Sequence, residues 1–545
     1  MKERTQNVIL LLFFAICSLQ IAYSQQPTQE WVRRYSFDTN DTRGLNLKTD
    51  ASKNLYVLSR TTTDSTFTDV GLLKYDPAGN LLWTAYYNSP SNRSELPVAF
   101  DVSPAGDVYI TARSNFNFND VILTLKYNSN GVLQWARNFN PGVSSGPTDL
   151  SIDRDGNVVV GANVALGNGN VYALVVKYNE AGDTIWTRQF NVYSTSNISD
   201  IVIGDSSNIY TTGYHKYSMT QSNFLVLKLS TSGNFQWYAS YGVFPSGGSA
   251  NSIAIDSIGF VYTVGTVSIP GGYDNVLLRI DKFGNILWSK NYTGINNNHG
   301  CSFTPTGLSV NSISNSIYYT TACNAPGSTQ AVTLSYTTTG DTNWVKHQPL
   351  NFTGTPQYNP KDLILDKYNN LYVICGPITT TGRDYSTIKY LPDGAQQWLL
   401  NYTGFNTFED FIGGIALDSS FIYVTGASRN VTNTRYEIAT VKYNQPIGII
   451  GNNNELPVRI ELKQNYPNPF NAATLLNYEI PKTGFVDISL YNALGQKIKK
   501  IVNSEQSAGY YTYILNLNDL SSGIYFYSLS CNGILFKTKK MLLIK

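Results

Sequence analysis

The sequence predicts an all-β protein: an eight-bladed β-propeller closed by an N-terminal strand, followed by a small Ig-like β-sandwich. Its eight tryptophans recur at spacings of 51 to 56 residues, and a Lys-Tyr-like dipeptide lies nine residues upstream of seven of them. A regular period of about fifty residues is typical of stacked units that cannot bury their apolar faces alone. The tryptophans are Trp31, Trp83, Trp135, Trp186, Trp237, Trp288, Trp344 and Trp398.

Each repeat contains two β-rich hairpins, which together predict four antiparallel strands. Residues 72–83 join two apolar runs through a short Gly-containing loop, and a second hairpin lies upstream of each dipeptide. The last dipeptide, Lys442-Tyr443, has no tryptophan after it, whereas Trp31 has no dipeptide before it. An N-terminal strand that completes the last blade explains both departures. Residues 28–445 then form eight blades of about 52 residues, whereas seven blades would leave Trp31 without a partner strand.

Two short motifs in the repeat carry a family resemblance. The stretches IYTTGY (209–214) and IYVTGA (422–427) resemble the β-propeller repeats of bacterial extracellular proteins. The Gly-x-x-x-Trp element, as in Gly79 to Trp83, is similar to the tryptophan-docking motif of quinoprotein dehydrogenases, which are also eight-bladed. The chain lacks the vicinal cysteine pair common in those enzymes, and we expect no cofactor. We expect the tryptophans to pack between blades, where an indole buries about 200 Å², rather than to contact a ligand.

The first 24 residues have the pattern of a secretory signal peptide. A basic start precedes the apolar run 8–16, and small residues lie before a cleavage site at Gln25. The run is too short for a membrane span. A lipoprotein signal at Cys17 is the alternative, but the bulky Ile16 stands where such signals have a small residue. The propeller would then occupy residues 25–447.

Composition and residue spacing argue against several classes of function. Charged residues make up 14% of the chain and the net charge is +2, so no global field favours nucleic acid or a membrane. His215, His299 and His347 fall in three different repeats without metal-ligand spacing. The chain has no nucleophile elbow or phosphate-binding loop. We therefore expect no bound metal and no enzymatic activity.

Few cysteines remain once the signal peptide is removed, so the fold does not depend on disulfides. Cys301 and Cys323 flank one predicted hairpin almost symmetrically. The sequence is compatible with two alternatives. Either a local disulfide joins these two residues, or they are unpaired thiols like Cys375 and Cys531.

An acid usually opens the turn between the first two strands of a repeat, and the basic residue of the dipeptide follows 23 or 24 residues later. The sixth repeat has Ser312 and Ser335 at these places, so acid and base are lost together. Because both places lie at one rim of an antiparallel blade, the pattern predicts a repeated Asp–Lys pair. An acid that caps its own turn beside an extended lysine is the alternative. The second repeat has Ser103, with Asp101 nearby. The acids are Asp50, Asp153, Asp205, Asp256, Asp366 and Asp418.

The opposite rim of the propeller carries long, irregular loops such as 59–69 and 292–307. We call this rim the long-loop rim. It is formed by the loops between the second and third strands of each repeat and by the connections between repeats. Binding residues commonly lie on such loops over a rigid scaffold, and aromatic side chains suit adaptable recognition. Plain surface loops are the alternative. The candidate ligand-binding residues are Phe116, Phe118, Tyr214, Tyr217, Tyr273, Phe405 and Phe408.

Three acids are candidates for chemistry in the central channel. Asp149, Asp200 and Asp362 occupy similar places in their repeats and could cluster near the channel mouth. Carboxylates placed there could bind a cation or act in hydrolysis. Solvated residues at the entry of a strand are the alternative.

A different pattern follows a linker at residues 448–460. Alternating Val486, Ile488 and Leu490 predict a half-buried strand, and residues 461–545 suit a small β-sandwich. The segments LKQNYPNPFN (462–471), YNALGQ (491–496), SSGIYFY (521–527) and KTKKMLLIK (537–545) strongly resemble the type A C-terminal sorting domain of the type IX secretion system of Bacteroidetes-like bacteria.

The resemblance covers the whole C-terminal segment, with one departure at Ala472, where the family often has proline. It implies passage through the inner membrane by the signal peptide and through the outer membrane by recognition of this domain. The domain is then often removed. The matching sorting residues are Pro467, Asn468, Pro469, Phe470, Gly484, Gly495, Gly509, Gly523, Lys539, Lys540 and Lys545.

These observations predict an exported, monomeric β-propeller that reaches the cell surface or the medium through the periplasm. Its partners would be the type IX secretion machinery and a glycan or protein bound at the long-loop rim. A secreted hydrolase or lyase that uses channel carboxylates is the second hypothesis, and a structural surface-layer component is the third.

Overall fold

The computed structural model describes most of the chain in two compact units, one over Pro27–Ile447 and one that contains the residues from Gly448 to the C-terminus. The predicted signal peptide and most of the predicted linker lie outside the described residues. The described residues are 26–37, 41–62, 67–90, 93–116, 119–204, 206–218, 221–242, 247–301, 304–312, 314–325, 328–349, 360–376, 378–379, 382–404, 409–430, 435–445, 459–471, 473–506, 509–517 and 520–544.

The described residues of the first unit contain eight four-stranded antiparallel sheets, as the repeat predicts. Blades one to four are β2 (Asp41–Thr49), β3 (Leu55–Thr62), β4 (Thr68–Tyr75), β5 (Leu81–Tyr87); β6 (Glu95–Val102), β7 (Val108–Phe116), β8 (Asn119–Tyr127), β9 (Leu133–Phe139); β10 (Ser144–Ile152), β11 (Val158–Ala165), β12 (Val171–Tyr178), β13 (Thr184–Phe190); and β14 (Thr195–Ile203), β15 (Ile209–Lys216), β16 (Ser222–Leu229), β17 (Phe235–Tyr241).

Blades five to eight follow the same order. They are β18 (Gly248–Ile255), β19 (Val261–Ile269), β20 (Gly272–Ile280), β21 (Ile286–Tyr292); β22 (Thr306–Asn311), β23 (Ser316–Ala325), β24 (Ser328–Thr337), β25 (Thr342–Pro349); β26 (Asp362–Leu365), β27 (Leu371–Cys375), β30 (Tyr385–Tyr390), β31 (Gln396–Tyr402); and β32 (Asp410–Leu417), β33 (Phe421–Arg429), β34 (Tyr436–Asn444), β1 (Gln29–Tyr35). Two short strands, β28 (Ile378–Thr379) and β29 (Gly382–Arg383), and a 3-10 turn (Ile295–Asn297) lie in connections.

The eighth sheet takes its fourth strand from the N-terminus of the chain. Strand β1 pairs antiparallel with β34, and Trp31 lies opposite Lys442. The first strands of consecutive blades contact one another in chain order, and β32 of blade eight contacts β2 of blade one. The backbones are close there, because a Cβ added to Gly44 would lie 2.9 Å from the carbonyl oxygen of Gly426. Blade eight therefore packs against blade one.

The tryptophans join neighbouring blades. Six of them donate the indole N–H to a backbone carbonyl in the turn between the third and fourth strands of the next blade, at 2.9 to 3.3 Å. A glycine in that turn lies against the indole: Gly182 has a φ of +84°, and an added Cβ would approach the ring of Trp135 to 2.7 Å. The tryptophan–carbonyl pairs are Trp83–Ser129, Trp135–Glu180, Trp186–Thr231, Trp237–Lys282, Trp288–Thr338 and Trp344–Pro392.

A similar contact joins blade eight to blade one. A Cβ on Gly79 would lie 2.7 Å from the indole of Trp31, and Arg33 Nε donates to the Gly79 carbonyl at 2.6 Å. Lys442 Nζ donates to the Pro77 carbonyl of the same turn at 2.7 Å. The contact between strand β1 and blade one therefore follows the pattern found between the other blades.

The predicted Asp–Lys pair occurs in only some blades. Asp153 and Lys177 form an ion pair at 2.7 Å in blade three, whereas Asp50 and Lys74 are 3.9 Å apart in blade one. In blade two, the exception in the sequence pattern, Lys126 pairs with Asp107 at 3.0 Å, while Asp101 binds Lys48 of blade one at 2.6 Å. Asp205 of blade four lies outside the described residues.

A tyrosine that the sequence pattern did not single out lies beside the acid and the base in several blades. In blades one, five, seven and eight the acid accepts a hydrogen bond from the hydroxyl of a second-strand tyrosine at 3.0 to 3.2 Å. The basic residue lies over the ring of the same tyrosine, 4.8 to 5.8 Å from its centroid. Blade three has Val159 at this place, opposite Lys177, and there the two charges meet directly. The acid–tyrosine pairs are Asp50–Tyr56, Asp256–Tyr262, Asp366–Tyr372 and Asp418–Tyr423.

The second unit contains two sheets that enclose one apolar core. The first sheet consists of β35 (Glu461–Leu462), β36 (Ala473–Ile480) and β39 (Gly509–Asn516). The second consists of β38 (Lys497–Gln506), β37 (Gly484–Tyr491), β40 (Gly523–Cys531) and β41 (Ile534–Leu543). Val486, Ile488 and Leu490, the alternating residues of β37, are all buried in this core, as the sequence predicts.

Candidate ligand-binding face

The long-loop rim holds the predicted aromatic residues, but the structure brings few of them together. Tyr217 and Tyr273 are exposed, at 61% and 44%, on blades four and five, and Tyr214 is half-buried. Phe116 ends β7. Phe118, Phe405 and Phe408 lie outside the described residues.

One aromatic cluster forms on the rim of blade four. The rings of Tyr193 and His215 are stacked, with centroids 5.2 Å apart and an interplanar angle of 18°. Tyr217 meets Tyr193 edge to face at 5.2 Å. Both tyrosines are more than half exposed, whereas His215 is 1% exposed. The cluster therefore exposes two phenol rings to solvent, and the ring of Tyr193 stacks on the buried imidazole of His215.

The local structure holds Tyr193 and the His215 ring on which it stacks. Tyr193 has a φ of +69°, a conformation that is rare for a bulky residue and marks a constrained site. The neighbouring backbone is held by Ser196, whose Oγ accepts from the Val192 N–H and donates to the Val192 carbonyl. His215 Nε2 lies 2.7 Å from Ser240 Oγ, and burial lowers the pKa of its imidazole. Hydrogen bonds therefore hold both the backbone beside Tyr193 and the His215 ring, and burial favours the neutral form of the imidazole.

Tyr193 was missed in the sequence because it occurs in a short connection without an aromatic pattern. Its positive φ is a property of the folded backbone, and no neighbouring residue predicts it. His215 and Tyr217 were both noted, but their contact with a residue over twenty positions upstream depends on how blade four is connected to blade three.

Tyr273 occupies a different part of the rim, beside the disulfide. Its N–H donates to the His299 carbonyl at 2.6 Å, and its carbonyl accepts from the Cys301 N–H at 3.1 Å. Cys301 and Cys323 are bridged, which decides between the two alternatives left open by the sequence. Cys375 and Cys531 are free and buried. The bridge ties the connection after blade five to the second strand of blade six.

The first strands carry a repeated β-bulge that faces the neighbouring blades. Seven of the eight first strands shift register at the same place, and a bulge leaves backbone groups unpaired there. Asp149 and Asp200 directly follow the bulge, and Asp362 has the equivalent register position in blade seven. Asp200 and Asp362 accept the N–H of the following residue at 2.8 Å.

The three channel acids have shifted pKa values. Burial, and then the charge of Asp200 and a side-chain hydrogen bond with it, raise the pKa of Asp149 well above its usual range. Burial also raises the pKa of Asp200, which accepts from Ser252 Oγ and the Ile253 N–H of blade five. The pKa of Asp362 is raised to about 6, mainly by burial. Asp200 is therefore engaged in joining blades, whereas Asp362 also lines a cavity of about 330 Å³.

The described residues contain no group of three or more His, Cys, Asp or Glu side chains arranged to hold a metal ion. Asp149 and Asp200 lie together, but their oxygens are bound to each other and to blade five.

In the second unit, the motif residues from both ends of the segment meet. Phe470 is 2% exposed and its N–H donates to the Leu542 carbonyl, while Asn468 Oδ1 accepts from the Leu542 N–H at 2.8 Å. Pro467 and Pro469 follow cis peptide bonds. Gly484, Gly509 and Gly523 begin strands β37, β39 and β40, and Gly495 has a φ of +75° in a turn. Lys540 is exposed, Lys539 is half-buried, and Lys545 lies outside the described residues.

Comparison with known families identifies this second unit. Residues 464–545 match the family described as "Secretion system C-terminal sorting domain". Residues 464–545 are a type IX sorting domain. The sorting domain directs the protein through the periplasm to the cell surface or the medium and makes the type IX secretion machinery its partner. It is consistent with an origin in a Bacteroidetes-like bacterium. Within the described part of the chain, no helix is long and apolar enough to cross a membrane.

No protein of curated function matches the sequence. Among solved structures, the periplasmic gluconolactonase PpgL of Pseudomonas aeruginosa has a TM-score of 0.41 and 12% identity, over 66% of this chain and 95% of that one. The polysaccharide lyase Uly1 has a TM-score of 0.42 and 8% identity, over 74% and 90%. A fungal alcohol oxidase of the AA5 family has a TM-score of 0.37 and 13% identity, over 82% and 98%.

Proposed function

We propose that the exported propeller is a glycan-binding protein whose ligand contacts Tyr193 and Tyr217 at the long-loop rim. The observation that carries the proposal is the exposed, constrained Tyr193, held at a φ of +69° and stacked on buried His215. Strained backbone persists where the surrounding structure enforces it, and such sites are common where ligands bind. A ligand that covers the Tyr193 ring would explain why the chain holds a large aromatic side chain in solvent on a strained backbone.

The chemistry of the cluster suits a sugar ring. Aromatic faces pack on the apolar C–H face of a sugar, and the two phenol hydroxyls can exchange hydrogen bonds with its hydroxyl groups. Tyrosine loses little side-chain entropy on binding because only two torsions are fixed. The edge-to-face arrangement of Tyr193 and Tyr217 presents one ring face and one ring edge, which matches a single sugar residue better than a broad protein surface.

Removing either ring is expected to weaken glycan binding by at least about fivefold, since aromatic anchors commonly contribute more than about 1 kcal/mol. The variants are Tyr217→Ala and Tyr193→Gly, because glycine accepts the positive φ and the second change therefore removes only the ring. The full chain would be screened on an array of neutral and acidic glycans, and affinities for the best ligand would be measured by calorimetry.

Tyr238 provides the matched control for this experiment. It is 45% exposed on β17, the outer strand of the same blade, away from the cluster. The variant Tyr238→Ala should bind as the unchanged protein does. Equal loss in all three variants, or no loss in Tyr217→Ala, would contradict the proposal.

A hydrolase or lyase that uses the channel carboxylates is a second candidate. The raised pKa of Asp362, about 6, and its position on a cavity of about 330 Å³ favour it, because acid–base catalysis needs a carboxyl group that titrates near the working pH. An Asp362→Asn variant should then abolish turnover of a polysaccharide substrate. Asp393→Asn, in an exposed turn of the same blade, should retain it.

The raised pKa of Asp362 also predicts a pH dependence of stability. Because its folded-state pKa of about 6 lies above the ordinary 3.8, the folded protein holds this proton more tightly, so stability falls as the pH rises through that interval. Between pH 5 and pH 8 the expected loss is about 1 kcal/mol. In Asp362→Asn this part of the loss should vanish, as measured by urea unfolding at both pH values. An unchanged pH dependence would show that the carboxyl is not shifted.

A further inference from the structure

A second cavity opens on the long-loop rim and is lined by basic side chains. It has a volume of about 370 Å³ and lies among blades one, seven and eight. Arg43 is near the start of β2, Arg60 is near the end of β3, and Lys361 directly precedes β26. These three residues, with an apolar wall that includes Phe411, line the cavity. The sequence pattern did not point to this site, because Lys361 of blade seven is distant in sequence from Arg43 and Arg60 of blade one.

Arg43 is held in place by two aromatic rings. Its guanidinium carbon lies 4.4 Å from the ring centroid of Tyr436 and 5.1 Å from that of Phe411. Such contacts orient the planar guanidinium and leave its edge donors available. Two acids lie nearby: one oxygen of Asp41 already accepts the Tyr436 N–H at 2.8 Å, and the charge of Glu409 acts on Tyr436.

Arg60 carries an unsatisfied donor. Arg43 and Arg60 are cross-strand partners, a placement in which like charges repel. The Nε of Arg60 is buried without a hydrogen-bond partner. Burial first, and then the charge of Arg43, lower the pKa of Arg60, while Asp41 opposes this effect. Buried donors without a partner are rare in folded proteins, and an anion between the two guanidinium groups would resolve both the repulsion and the missing bond.

We propose that this cavity binds a carboxylate-bearing sugar, with Arg43 and Arg60 as the charge partners and Lys361 at the opening. The planar guanidinium group can donate two parallel hydrogen bonds to the two oxygens of a carboxylate. Arginine is therefore common where proteins bind carboxylates. The volume lies within the range of small-molecule sites and admits one or two sugar residues. This site is independent of the Tyr193–Tyr217 cluster, so either proposal can fail without the other.

The test is calorimetry of the full chain at low salt with three probes: sodium glucuronate, glucose and a trigalacturonate. Binding of glucuronate but not glucose is the expected result. The trigalacturonate distinguishes the source of the carboxylate, since tighter binding of the oligomer assigns the site to a polysaccharide and equal binding assigns it to a free sugar acid. Failure of both acidic probes to bind would overturn the proposal, as would equal binding of glucose.

The variants are Arg60→Met and the matched control Arg113→Met. Arg113 has the register position in blade two that Arg60 has in blade one, but it is paired with Asp120 at 3.7 Å. Loss of acidic-probe binding by about tenfold or more is expected in Arg60→Met alone. Equal loss in both variants would assign the effect to the fold and overturn the proposal. Because Arg60 Nε has no partner to lose, the thermal midpoint of Arg60→Met should not fall, which separates binding from misfolding.

Discussion

Replacing Trp135 by alanine is expected to lower the free energy of unfolding by about 3 to 5 kcal/mol, the usual cost of truncating a buried large aromatic residue. Its indole is 7% exposed, packs on Gly182 of blade three and donates to the Glu180 carbonyl at 3.0 Å. The ring also lies 6.0 Å from Tyr109 and 6.1 Å from Tyr178, on opposite sides of the interface between blades. The change therefore removes contacts on both blades, and urea unfolding monitored by circular dichroism would measure it.

Phenylalanine variants separate the ring from its hydrogen bond. Trp135→Phe loses the bond to the Glu180 carbonyl, whereas the Nε1 atom of Trp398 is buried without a partner, so Trp398→Phe loses none. We expect Trp135→Phe to be the more destabilising by about 1 kcal/mol, the ordinary net contribution of one hydrogen bond. If Trp135→Ala were as stable as the unchanged protein, the tryptophans could not be the residues that join the blades.

The spacing of the tryptophans predicted the blades because a packing residue is needed once in every repeat, at the same point. The same logic located strand β1, since the lone Trp31 needed the third strand that carries Lys442-Tyr443. Two features of the fold could not be predicted from the sequence. The bulges of the first strands depend on how eight blades fit together, and the tyrosine between acid and base was hidden because Tyr and Val both suit a buried strand.

The candidate sites were harder to predict for a related reason. Tyr217 could be predicted because it lies on a long loop. Tyr193 is a candidate because of its positive φ, and Arg60 because its Nε lacks a hydrogen-bond partner. Both of these properties exist only in the folded chain. Asp149 and Asp200 lie near each other, as the hypothesis of clustered carboxylates requires. Their shared hydrogen bond, and the bonds from Asp200 to blade five, could not be inferred from spacing.

Deleting residues 535–545 is expected to abolish export while the propeller stays folded. Strand β41 is an edge strand of the sorting domain, yet Met541 and Leu543 are fully buried in its core. The deletion therefore removes part of the core as well as the terminal lysines. The propeller core lies within Pro27–Ile447, a separate compact unit, so its unfolding transition should be unchanged. Fractionation in a host with a type IX system should find the variant in the periplasm.

A matched pair of point variants shows whether the folded sorting domain is the signal. Phe470 joins the start of the domain to its last strand and is 2% exposed, whereas Phe485 is 46% exposed on β37. Phe470→Ala should cost about 3 to 5 kcal/mol within the domain and block export, while Phe485→Ala should be exported normally. Surface display of the deletion variant would contradict the assignment of this domain. Normal export of Phe470→Ala would instead mean that the secretion machinery recognises exposed residues such as Lys540 without requiring the packed core.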